Sequence, residues 1–120
     1  MDMKDKTFKD KVDAFALACQ IYKNEKKELE RQRHSASEPD AARRVLIKFM
    51  EEDVAYIDNM FEDIKNRFGA QARVIMWMIY VDELRLDVVG HILNLDRKKV
   101  QRLKSKYLHE LFDDDQKKEK

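Results

Sequence analysis

Two glycines and one proline in 120 residues leave this chain almost nothing from which to build hairpins or long irregular loops. Helix nearly throughout is the expectation, and the apolar spacing supports it. Phe8, Val12, Phe15, Cys19 and Tyr22 recur at alternating four- and three-residue steps, with Leu29 continuing the seam, which predicts a first helix over about residues 4–33. The one clear break is the stretch 34–40, HSASEPD, where Ser37 and Asp40 have capping-box spacing and Pro39 suits a first helical turn. A second helix then runs to about Phe68. Its stripe is Leu46, Met50, Val54, Ile57, Phe61, Ile64 and Phe68, widened by Phe49 and Met60, and Gly69 is the natural stop. The unbroken run Val74–Val81 predicts a third helix, about residues 70–82, apolar all round and hence central, although its Val, Ile, Trp and Tyr content would also suit a buried strand.

The segment Leu86–Leu111, LDVVGHILNLDRKKVQRLKSKYLHEL, carries the most specific pattern. Val89, Leu93, Leu95, Val100 and Leu103 fall where two short helices packed around a corner need apolar contacts. Gly90 lets the second helix approach the first, and Asn94 stands at the corner, where a tight turn calls for positive φ. Asp96 is an acidic N-cap candidate, followed by Arg97-Lys98-Lys99. Helices over about 86–93 and 96–112 complete the array. The fold expected is all-α, about five helices: a helical hairpin over 1–68, able to serve oligomerisation, a three-helix unit over 69–112, and a charged flexible tail over 113–120.

From Leu84 to Leu111 the chain resembles the region 4 helix-turn-helix of bacterial sigma factors, in the Val-Gly of the first helix, the Ile-Leu before the turn, and the basic second helix with Val and Leu at helical spacing. The resemblance covers about residues 70–112, and no counterpart of a sigma factor's other core-binding regions is evident. In size and layout the chain is also similar to small phage-encoded transcriptional regulators of the ArpU/RinA late-gene type. These likenesses imply a DNA-binding regulator of phage or prophage genes, with double-stranded DNA as partner and RNA polymerase as a candidate second one. Carried over by position, base reading falls on Arg97, Lys98, Gln101 and Arg102. Lys98 replaces an acidic residue common in sigma factors, and Gln101-Arg102 stand where an Arg-Gln order is usual, departures that bear on whether the target is a −35-type promoter sequence and not on DNA binding itself.

Charge distribution agrees with that reading. The formal net charge is only +1, yet from Arg85 to Lys106 seven Lys/Arg face only Asp87 and Asp96, a local balance of +5. Arg85, Lys99, Lys104 and Lys106 are placed for phosphates, and Ser105 joins the outward face of the second helix. A solvated face on a protein-docking helix is the bland alternative.

Catalysis finds little footing. His34, His91 and His109 lack ligand spacing with one another, and the lone Cys19 offers neither a disulfide nor a zinc pair. Ser35 and Ser37 have no nucleophile elbow, Glu51-Glu52-Asp53 fan around a helix, and Gly69 and Gly90 cannot make a phosphate loop. A non-enzyme without metal or cofactor is expected. Cys19, like Trp77 and its methionine neighbours, reads as core. The N-terminal stretch MDMKDKTFKDK has no apolar run of signal-peptide length and no segment approaches a membrane span, so a cytoplasmic protein without a membrane partner is expected. The Phe8, Val12, Phe15, Tyr22 stripe suits either packing against helix two or the seam of a homodimer. Two rival functions stay open: a small terminase-like DNA-packaging subunit, and a protein-binding inhibitor built on a helix-turn-helix fold.

Overall fold

The computed structural model describes residues 7–35 and 37–113. Among them five α-helices and no strand are found: α1 (Phe8–Arg33), α2 (Ala41–Phe68), α3 (Ala70–Tyr80), α4 (Leu86–Leu93) and α5 (Arg97–Phe112). The all-α, five-helix expectation is met. The expected tail lies outside the described residues beyond Asp113, as do Lys4–Lys6, expected in the first helix.

α1 starts on a capping box, Thr7 Oγ1 accepting from the Asp10 N–H while the Asp10 carboxylate accepts from the Thr7 N–H. α1 and α2 form an antiparallel hairpin: Phe15 meets Phe61, Tyr22 meets Asp58 and Gln32 meets Arg43, the α2 partner falling in number as α1 advances. The expected Ser37–Asp40 capping box is not made. Asp40 is itself the N-cap, its carboxylate accepting from the Arg43 N–H, and Pro39 stands one residue before it, outside the helix. The Ser37 N–H instead donates to Ser35 Oγ.

Gly69, at φ 105° and ψ 169°, closes α2 and opens α3 at once, a conformation essentially reserved for glycine. α3 is helix and not strand. It stops two residues before the expected end, where the Asp82 N–H bonds the Trp77 carbonyl, Glu83 turns to φ 57° and the Leu84 N–H reaches back to the Met78 carbonyl. Nor is α3 buried all round: Ala72, Ile75 and Met76 are buried, Trp77–Tyr80 are half-buried and Val74 is exposed.

One continuous core joins the hairpin to the C-terminal helices. Phe15 packs on Phe61, Tyr80 and Phe112, Trp77 on Tyr22 and Phe61, and Phe68 on Tyr107. Phe8 stacks on His109 with ring centroids 4.2 Å apart, and Arg67 donates to the Glu110 carbonyl. The proposed oligomerisation stripe is thereby corrected. Phe15 and Tyr22 are 4% and 1% exposed, and Phe8 and Val12 pack against the same cluster, so the residues expected at a dimer seam are occupied within the chain. Cys19 is fully buried, and burial alone pushes its thiol up to about 12, as suits an inert core residue.

Candidate nucleic-acid interface

α4, its corner and α5 are built from short-range necessities. Asn94 takes the left-handed conformation, φ 58° and ψ 46°, which its short polar side chain tolerates better than most. The Leu95 N–H then bonds the Gly90 carbonyl at 2.8 Å. A Cβ on Gly90 would lie 2.5 Å from the Leu95 carbonyl oxygen, so the close approach of the corner to α4 depends on its absence. Val89 and Val100 seal the pair with no exposure at all, and Leu93, Leu95 and Leu103 pack around them.

Asp96 is the N-cap of α5, as expected, but its carboxylate makes no capping bond. The first-turn N–H groups of α5 are left without a side-chain acceptor, beside Arg97, Lys98 and Lys99. With Val100, Tyr107 and Leu108 turned inward, Lys98, Gln101 and Arg102 stand on the outward face, and Ser105, half-buried, continues their row. Arg97 flanks this face on one side, Lys99 and Lys106 on the other. All six exposed polar residues, Arg97, Lys98, Lys99, Gln101, Arg102 and Lys106, make no hydrogen bond or ion pair among the described residues. His91 is exposed on α4.

Two residues expected at phosphates are engaged elsewhere. Arg85 makes a bidentate pair with Asp87, at 3.1 and 2.8 Å, and this partner holds the Asp87 carboxyl down at about 2. Lys104 is half-buried, its ammonium 5.9 Å from the centroid of the Tyr80 ring. The free cations of the unit are therefore concentrated on one face of α5. Arg85's pairing has no helical signature, since an i,i+2 pair meets only in the extended backbone of a cap, as Arg85 has at φ −71° and ψ 155°.

Trp77 does not serve as the private core of this unit. Its ring is shared with Tyr22 and Phe61 of the hairpin, and the Arg73 guanidinium lies 5.6 Å from its centroid. Among the described residues no group of three or more His, Cys, Asp or Glu side chains could hold a metal ion. Among the same residues no helix is long and apolar enough to cross a membrane. No protein-family model, curated protein or solved structure matches the chain.

Proposed function

We propose that the protein binds duplex DNA sequence-specifically, laying the outward face of α5 in the major groove. The observation that carries this reading is the row Lys98, Gln101 and Arg102, flanked by Arg97, Lys99 and Lys106: exposed, unpaired and presented by a helix whose inner face is locked by Val100. Such donors meet base-edge acceptors without first breaking an internal bond. The uncapped first turn of α5 adds backbone N–H donors and the positive end of the helix dipole. α4 takes the place of the helix that crosses the backbone in two-helix readers. Arg97, Lys98, Gln101 and Arg102 read bases; Lys99 and Lys106 hold phosphates; Arg85 and Lys104 contribute little. Control of transcription, in a phage or prophage setting with RNA polymerase nearby, is the role that the region-4 resemblance suggests for such binding.

Selection from a random duplex library, followed by anisotropy titration across a salt series, tests the reading. Arg102→Ala is expected to cost about 1–3 kcal/mol on the selected site and to relax preference at one or two base positions. Lys106→Ala is expected to weaken all sequences alike and to lower the salt slope by about one. Arg85→Ala should leave both quantities almost unchanged. Binding that is absent, or untouched by Arg102→Ala, would remove α5 as a reader.

A further inference from the structure

The hairpin carries a second apolar face that none of the described residues covers. Among the described residues, six of eight exposed large hydrophobic side chains lie on α1 and α2: Leu17, Ile21, Val45, Leu46, Phe49 and Tyr56, all but Ile21 more than half exposed. They share one side. On α1, Ala14, Leu17, Ile21 and Glu25 follow one another at three- and four-residue steps with Ala18 beside them, and on α2 Val45, Phe49, Asp53 and Tyr56 do the same. Two grooves join these rows: Tyr56 lines one with Ala14 and Ala18, and Leu46 and Phe49 line the other with Glu25 and Glu28. This face adjoins the Phe15–Tyr22 seam, since Phe15 also lines the Tyr56 groove, but its exposed side chains are not those the core consumes.

We propose that this face is where two copies of the chain pair, α2 against α2 in antiparallel array about a two-fold axis near Phe49. Charge order selects this occupant and this direction. Arg44 and Lys48 precede Phe49, and Glu51 and Glu52 follow it. Lys48, Glu51 and Glu52 are exposed and unpaired among the described residues. Antiparallel pairing sets Lys48 of each copy against Glu52 of the other and stacks Val45 on Tyr56 of the second copy; parallel pairing would superpose like charges. A two-fold interface is self-complementary by construction, and a surface patterned basic, apolar, acidic along one helix meets that condition with itself.

Sedimentation of the full chain at micromolar concentration reads the prediction without reference to DNA, so its outcome is separate from that of the reading helix. A dimer is expected. Phe49→Asp should weaken it at least tenfold, since an unpaired charge would sit at the axis, while helix content and melting of the monomer are kept. Lys48→Glu and Glu52→Lys should each weaken self-association, and an equimolar mixture of the two variants should form a heterodimer tighter than either alone. A monomeric wild-type chain, a ring of more than two copies, a dimer indifferent to Phe49→Asp, or charge variants that gain nothing on mixing would overturn it.

Discussion

At Gly90 the missing side chain matters because the neighbour is backbone. The carbonyl of Leu95 would lie 2.5 Å from a Cβ, and that carbonyl is held in place by the corner whose own N–H bonds back to Gly90. A flexible side chain could swing aside; this oxygen can do so only by opening the turn. Gly90→Ala is therefore expected to cost about 2–3 kcal/mol. Glu83 presents the opposite case. It holds φ 57° at the end of α3 with a full side chain, where the left-handed region costs an ordinary residue about 1–2 kcal/mol. Glu83→Gly should recover up to about 1 kcal/mol of that after glycine's own entropy is charged. Thermal melts of the two variants should thus move in opposite directions. Asn94 was legible in advance because an Asn between two apolar helical runs has few other uses. Glu83 was not, since Asp82-Glu83 looks like any solvated charge pair.

Among elements, α4 and α5 could be read closely from the sequence and α2 only by halves. A short amphipathic helix with one partner has one apolar stripe, so its periodicity names its buried face. The stripe of α2 outruns its partners. Ile57, Phe61 and Ile64 meet the core, but Leu46 in the same stripe and Phe49 beside it remain 59% and 57% exposed, and periodicity cannot tell a part of a stripe covered by the chain itself from one left open. Where α1 and α2 face each other beside that open stripe, Glu25 meets Asp53. Burial, then the hydrogen bond to Asp53 and that group's charge, raise the Glu25 carboxyl from its ordinary 4.5 to about 7. A carboxyl whose pKa is raised by folding binds more protons in the folded state. Its contribution to stability is full below pH 4.5 and is lost as pH rises through about 7. Because Glu25 still meets solvent, screening holds the effect to about 1 kcal/mol. Glu25→Gln should consequently melt higher than wild type at pH 8 and lose that advantage at pH 4. Denaturant midpoints measured across this range would show the two curves converging toward acid, and parallel curves would mean that the pair does not share a proton.

For the molecule as a whole, the division into a hairpin and a three-helix unit describes the sequence better than it describes the folding. Composition and motif placement drew a boundary at Gly69, because local patterns cannot show which helices share a core. In the structure the boundary is crossed repeatedly: Phe15 of α1 touches Tyr80 of α3 and Phe112 of α5 at centroid distances of 5.0 and 5.6 Å, and Phe68 of α2 stacks on Tyr107 of α5 at 5.2 Å. The outward face of α5 is thus oriented by the hairpin as much as by α4. Phe15→Ala tests this coupling, since it deletes a ring that is 4% exposed at the meeting point of four helices. The expected cost is about 3–4 kcal/mol, a large share of the stability of a domain this size. It should appear as one cooperative transition, with Trp77 fluorescence and far-UV helicity melting together at a lowered midpoint. If the three C-terminal helices instead formed an independent unit, the melt would split, and only its hairpin phase would shift. A single shifted transition would mean that any change loosening the hairpin also loosens α4 and α5, which makes the seam between α1 and α5 the place where an effect on one end of the molecule is felt at the other.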